Sequence, residues 1–310
     1  MVCRHGALRG DEGLGRGVTD VASGDPRERG ACSGPAFADS VSPSPYSTAR
    51  VTVLRLPGAD VASDDVAVEE PLEIRVEGEA VTVTMRTPGH DEELALGFCL
   101  SEGVVPRSAR APEDLAANAI EVEAPGFDRR ARRRSFYTSS SCGVCGLGAI
   151  GAVRVDTPLV ETSLRIDASL VHALPGRLRS AQAAFDTTGG LHAAGLFSAQ
   201  GDLLCVREDV GRHNAVDKVV GWALLQGMVP LSEMVLCLSG RVSFELVQKA
   251  ARAGCPVIVA VGAPSSLALG LARDRGVTVC GFVREGRFVV YTEPTRIVVR
   301  KVPDRISALL

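Results

Sequence analysis

The sequence predicts a mixed α/β protein: a larger carboxyl-terminal α/β domain whose mixed sheet is covered by helices on both faces, preceded by a smaller β-rich α+β domain. From about Leu164 onward, strand-like apolar runs alternate with helical runs of about twelve residues, the pattern of βαβ units. Upstream, strand patterns dominate and a single helix stands out. Hydrophobic residues make up 45% and charged residues 23% of the 310, enough for a real core in each part.

Residues 1–48 are rich in Gly, Ser, Pro, Asp and Arg without apolar periodicity, so a disordered tail is expected there. Order begins near "VTVLRL" (Val51 to Leu56), and the small domain is assigned to 49–135. Within it "LEIRVEGEAVTVTMRT" alternates across a tight Glu-Gly-Glu connection and reads as a β-hairpin. "TPGHDEELALGFCLSEG" places acidic residues before an apolar run ending at Gly103, a helix with its acids in the first turn. "AIEVEA" is a short strand. A linker carrying a CxxC follows at 136–150, then the α/β domain at 151–300 and a tail at 301–310. In the α/β domain "AAGLF" and "LLCVRED" are strands; "RHNAVDKVVGWALLQG", "VSFELVQKAARAG" and "SSLALGLARDRG" are helices. Between and after them come the strands "EMVLCLSG", "CPVIVAVG" and "VTVCGFVR", and a hairpin through "EGR" into "FVVYTE" closes the series.

A formal net charge of −3 argues against wholesale nucleic-acid or membrane binding and makes any basic site a local one. No run approaches the roughly eighteen apolar residues of a membrane helix, and the amino terminus lacks the apolar core of a secretory signal, so a cytoplasmic location is expected. Of nine cysteines, Cys99, Cys205, Cys237, Cys255 and Cys280 sit in apolar runs, where buried reduced thiols behave as small hydrophobes. Cys142 and Cys145 stand apart among serines and glycines.

Ligands of such sheets bind beyond the carboxyl ends of the strands, where each following helix presents free N–H groups. Those junctions read "EDVGRHN", "SGRVS" and "GAPSS". Arg212, Ser239, Gly240, Arg241, Ser265 and Ser266 are therefore candidate contacts to an anionic ligand: small residues let backbone approach it, and arginine can grip phosphate with two hydrogen bonds. Helix capping is the other reading of the same serines and glycines. A further loop, "FDTTGGLHAAG", adds Gly189, Gly190 and His192 to the candidates. His192 and His213 are either acid–base groups or hydrogen-bonded structural residues.

The CxxC lacks the second ligand pair a structural zinc needs. Deaminase chemistry requires H-x-E upstream of P-C-x-x-C; here His192-Ala193-Ala194 follows the pair and Ser141 replaces the proline. No structural zinc and no metal ligands are expected. Glycines on both sides and the five arginines between Arg129 and Arg134 point to an exposed loop with thiolate character, or to a solvated linker beside it. Such a thiolate can accept and deliver a sulfur atom.

Together, "RTPGHDEELALGF" with "SEG", "SSCGVCG", "FDTTGGLHAAGLF", "EDVGRHNAVDKVVG", "SGRVSFELVQKAARAGCPV" and "GFVREGRFVVY" resemble the FdhD family of formate dehydrogenase accessory sulfurtransferases, over about Val51 to Tyr291. The resemblance implies a larger domain similar to the cytidine-deaminase fold without its zinc. It implies a persulfide carrier that takes sulfane sulfur from a cysteine desulfurase. The sulfur then passes to the molybdenum (or tungsten) bis(molybdopterin guanine dinucleotide) cofactor before that cofactor enters formate dehydrogenase. Cys142 corresponds to the persulfide cysteine and Cys145 to its companion, while Phe282, Val283, Arg284, Glu285, Gly286 and Arg287 correspond to a cofactor-binding stretch. The diphosphates of that cofactor agree with the three junctions, and its two nucleotide ends suggest a homodimer. A non-catalytic cofactor-binding chaperone and a CxxC disulfide oxidoreductase are the alternatives.

Overall fold

The computed structural model describes residues 46–112, 118–127 and 157–299. The arginine run, the CxxC segment with Cys142 and Cys145, and most of both expected tails lie outside the described residues.

β1 (Thr48–Arg55) and β2 (Asp60–Ala67) form an antiparallel ribbon of their own. The predicted hairpin follows as β3 (Glu70–Val76) and β4 (Glu79–Arg86), turning through Glu77 and Gly78, both at positive φ. The predicted helix is α1 (Asp91–Ser101), with Asp91, Glu92 and Glu93 in its first turn. Arg86, almost wholly buried, donates from Nε and Nη2 to the Asp91 carboxylate at 3.0 Å each and so ties the hairpin's end to the helix start. β5 (Ser108–Arg110) and β6 (Ala119–Glu123) complete a four-stranded sheet in the order β4-β3-β6-β5.

A two-residue β7 (Ile166–Asp167) leads into α2 (Ala168–Ser180), capped by the Asp167 carboxylate, and α3 (Ala183–Thr188). The segment expected to be a loop from Phe185 thus begins inside a helix. Glu208 explains why: its carboxylate accepts from the N–H groups of Ala184 and Phe185 at 2.9 and 2.8 Å, satisfying the first turn of α3 from outside. The helix stops at Gly189, whose positive φ a side chain would resist.

Then come β8 (His192–Ser198), β9 (Leu203–Asp209), α4 (Arg212–Leu225), β10 (Met234–Leu238), α5 (Phe244–Arg252), β11 (Val257–Ala260), α6 (Ser266–Arg275), β12 (Thr278–Arg284) and β13 (Arg287–Thr292). After a short 3-10 turn, β14 (Ile297–Val298) pairs with β7. The alternation expected in this half is the one observed. The six strands lie in the order β13-β12-β11-β10-β8-β9, with β10, β11 and β12 parallel and β8 antiparallel to β10.

Successive side chains point to opposite faces of a strand, so one strand feeds two cores. Leu196, Leu236, Leu238, Ile258 and Val279 pack under α4, α5 and α6. Phe197, Val235, Cys237, Val257, Val259 and Cys280 pack against Val171, Leu174 and Leu178 of α2. Cys99, Cys205, Cys237, Cys255 and Cys280 are all buried free thiols, and burial pushes Cys99, Cys205, Cys255 and Cys280 up to about 12, Cys237 in the same direction.

The small sheet is joined to the large one where α1 crosses α4. The carbonyl oxygen of Asp217 occupies the space a β-carbon at Gly97 would need, and that of Glu93 the space at Gly221, so the two backbones touch. Around this crossing the contacts are ionic. Lys218 Nζ lies 2.7 Å from Asp209 Oδ2 and donates to the Thr87 carbonyl at 2.8 Å; Arg207 grips Glu93 with two bonds at 2.6 and 2.7 Å. Lys249 donates to both oxygens of Asp217, which also accepts from Ser101. His90, squeezed among these cations, is pushed down to about 3 by burial and by Arg207 and Lys218, and stays neutral.

Candidate functional site

The topology gathers the sequence candidates at one edge of the six-stranded sheet. β9, β10, β11 and β12 end there, and β8 begins there, His192 standing opposite Asp209. Beyond the strands, backbone bonds continue from loop to loop. Ser239 N–H donates to the Ala193 carbonyl at 3.0 Å, and Ala193 N–H donates to Ser239 Oγ at 2.9 Å. Gly262 N–H donates to the Gly240 carbonyl at 3.0 Å, and Phe282 N–H to the Gly262 carbonyl at 3.1 Å. Gly262 is required here, because a β-carbon would lie 2.8 Å from the Gly240 oxygen and 2.9 Å from Arg241 Cα. The small residues of these junctions are thus explained first by the loops' approach to one another.

Two cavities open on this edge. The larger, about 570 Å³, is lined by Gly189, Gly190, His192 and Ser239 together with the apolar and aromatic surfaces of Pro175, Leu178, Phe185 and Val261. At its rim the Arg179 guanidinium sits 4.7 Å from the centre of the Phe185 ring and pairs with Asp186. The smaller, about 170 Å³, lies between the two sheets: β4 contributes Thr82, Thr84 and Met85, and the facing wall is Val210 to Asn214 with Glu245, Gln248 and Lys249. His192 lines both.

Arg212 opens α4 behind Gly211, a cap without a side chain to accept from the first turn, and its Nε is buried with no hydrogen-bond partner. Such an atom carries a desolvation cost that a ligand oxygen would relieve. His213 Nε2 lies 3.2 Å from Ser243 Oγ and 3.6 Å from Glu245 Oε2, and this imidazole is the main reason the Glu245 carboxyl is held down at about 2. Burial, then Arg212 and His213, push the His192 imidazole below its usual range, so it is neutral near neutral pH. Arg212 and Arg241 therefore supply positive charge around an uncharged ring, a combination suited to an anionic ligand that also carries a flat heterocycle.

Ser265 caps α6, its Oγ accepting from Ala268 N–H at 3.3 Å; Ser265, Ser266 and Arg241 are exposed and line neither cavity. Phe282, 45% exposed, sits at a bulge in β12 with φ of +52°, a backbone conformation an ordinary strand residue would not adopt. Val283 is buried against the α2 side of the core, and Arg284, Glu285, Gly286 and Arg287 form the exposed hairpin turn, lining neither cavity. Cys142 and Cys145 lie outside the described residues.

Sequence reasoning missed Asp209, Asn214, Asp217, Lys218 and Lys249. Charged residues inside otherwise apolar helices were the available signal; Asp209 is near Lys218 and Asn214 in the chain, but Thr87 lies 131 residues from Lys218 and Asp217 lies 32 from Lys249. Nothing local announced Thr82 and Thr84 as a wall of the same site.

A profile of the FdhD/NarQ family matches residues 67–298. The sulfur carrier protein FdhD of Mycolicibacterium paratuberculosis is 51% identical over 268 residues, covering 81% of this chain and 98% of the relative. Its counterpart in Streptomyces avermitilis is 47% identical over 276 residues, covering 82% and 96%. The crystal structure of a formate dehydrogenase accessory protein from Desulfotalea psychrophila aligns with a TM-score of 0.62 at 26% identity, over 81% of this chain and 98% of that one.

Proposed function

Since the chain belongs to the FdhD/NarQ family, we propose that it is a sulfur carrier serving formate dehydrogenase, a sulfurtransferase that works through a cysteine persulfide. The observation that carries the reading from family to molecule is Arg212, with its unpartnered Nε, set among His192, His213 and Arg241 where the strands end.

In the proposed reaction the Cys142 thiolate attacks the terminal sulfur of a cysteine desulfurase persulfide. A new S–S bond forms on Cys142, and the bonding pair of the broken one leaves with the donor's thiolate. Cys145 is the companion thiol. The recipient, written here as substrate, is the molybdenum or tungsten bis(molybdopterin guanine dinucleotide) cofactor. Arg212 and Arg241 would hold its diphosphates, and the larger cavity, floored by Gly189 and Gly190 and walled by Phe185, offers a face for a flat ring. His192 stays neutral between the two cavities and donates or accepts one hydrogen bond without adding charge. The exposed ring of Phe282 and the turn from Arg284 to Arg287 extend the binding surface toward the solvent. A homodimer would bring two such edges to one two-ended ligand.

The test is mass spectrometry of the protein after incubation with a cysteine desulfurase and L-cysteine. One added sulfur on the Cys142 peptide, absent in Cys142→Ala, is the expected result. Full restoration of formate dehydrogenase activity by Cys142→Ala would instead make the protein a cofactor-holding chaperone. GDP is the probe for the nucleotide site: it should raise the melting temperature of the protein and not that of Arg212→Met.

A further inference from the structure

Gln182, the residue before α3, is only 3% exposed and lines the larger cavity. A polar residue in that position ordinarily turns its side chain onto the first N–H groups of the helix. Here the Glu208 carboxylate takes those of Ala184 and Phe185, and the Gln182 side chain caps nothing. Its backbone is engaged on both sides, the N–H donating to the Arg179 carbonyl at 3.3 Å and the carbonyl accepting from Asp186 N–H at 3.0 Å. The residue is thus held in place while neither amide oxygen nor amide nitrogen has a hydrogen-bond partner among the described residues.

A buried amide without partners carries the desolvation cost of both its polar atoms, and a methionine of nearly the same shape would fill the place without that cost. Packing alone therefore does not call for glutamine. The cavity it faces does. Leu178, Phe185, Leu191 and Val261 give that cavity apolar walls, and no carboxylate lines it among the described residues. Arg179 is held at the rim by Asp186 and the Phe185 ring, and Ser239 Oγ already accepts from Ala193 N–H. Among the lining side chains Gln182 alone presents a carbonyl acceptor beside an N–H donor.

Resting on the nucleotide reading above, we propose that Gln182 is the residue that reads the base, its amide making two side-by-side hydrogen bonds to the lactam edge of guanine. The ring N–H donates to Oε1, and Nε2 donates to the ring carbonyl. The phosphates are left to Arg212 and Arg241. A base without such an edge leaves the buried amide as unpaired as it is in the empty cavity, which is how a hydrogen-bonding pocket discriminates. An amide accepts several two-atom edges, adenine's among them, so the base that isolates its contribution is one with no such edge at all.

The probes are GDP, the diphosphate of purine riboside, which keeps the ring and ribose without the lactam, and inorganic pyrophosphate, which has no base. Each is titrated calorimetrically into the full-length wild-type chain, Gln182→Met and Arg212→Met. The wild type should bind GDP about tenfold more tightly than the purine riboside diphosphate. Gln182→Met should bind those two alike and keep the wild-type affinity for pyrophosphate, whereas Arg212→Met should lose affinity for all three. Without ligand, Gln182→Met should melt no lower than the wild type, because an unpaired amide gives way to an apolar group of similar length; a lower melting temperature would make the amide structural and overturn the proposal. A GDP preference that survives in Gln182→Met, or that the wild type lacks, overturns the role of Gln182 and leaves the nucleotide reading standing. So does an equal weakening of GDP and pyrophosphate by Gln182→Met. Absence of GDP binding by the wild type overturns the nucleotide reading, and the role of Gln182 with it.

Discussion

At the scale of single residues, the buried charges decide most. Lys218 is 1% exposed and its partner Asp209 is fully buried, so neither has water to fall back on. Lys218→Met should cost about 3–5 kcal/mol by stranding the Asp209 carboxylate, seen as a lower urea midpoint with an unchanged slope. The buried thiols make an alkaline prediction. A folded-state pKa raised from the ordinary 9 toward 12 contributes stability that is complete below pH 9 and is lost as pH rises through that window, because only the unfolded chain ionises. Cys205→Ala should therefore flatten the fall of unfolding free energy above pH 9 by about 1.4 kcal/mol per pH unit, measured by denaturant titration at several pH values. That these five cysteines are core residues was readable from their apolar neighbours. That Lys218 meets Asp209 and Thr87 was not, since a sequence displays a charge without its counter-charge.

At the scale of elements, the crossing of α1 and α4 is the tightest joint in the structure. Gly97→Ala and Gly221→Ala each drive a methyl group into a carbonyl of the other helix, and each should lower stability by about 3 kcal/mol in chemical denaturation, against a small effect of the same change at the open Gly270. The strands and helices from β9 to β13 were readable because each buried strand is a continuous apolar run and each helix starts behind Gly or Ser. Less readable was α2, where Leu174-Pro175-Gly176 looks like a break. Proline removes one helix donor there, and the packing of Val171, Leu174 and Leu178 against the sheet outweighs it. The start of α3 was hidden for a related reason: its cap, Glu208, comes from β9 rather than from the residues before it.

At the scale of the whole molecule, the placement of Arg212, Ser239, Gly240 and Arg241 at one sheet edge followed from the order of strands and helices alone, a topological rule that needs no side-chain detail. The second wall did not, because β4 reaches the site only through the crossing of α1 and α4. The ionic seam and the touching backbones should make the two sheets unfold together, with calorimetric and van't Hoff enthalpies agreeing to a ratio of about one. Two separated heat-absorption peaks would contradict that. The same joint would govern how the proposed ligand is received. Helices whose backbones are in contact, flanked by three buried ion pairs, have no room to rock, so the wall between the sheets that carries Arg212 is set before the proposed ligand arrives. Recognition would then be selective by shape, with little reorganisation to oppose it, and small-angle scattering should return the same radius of gyration with and without bound nucleotide.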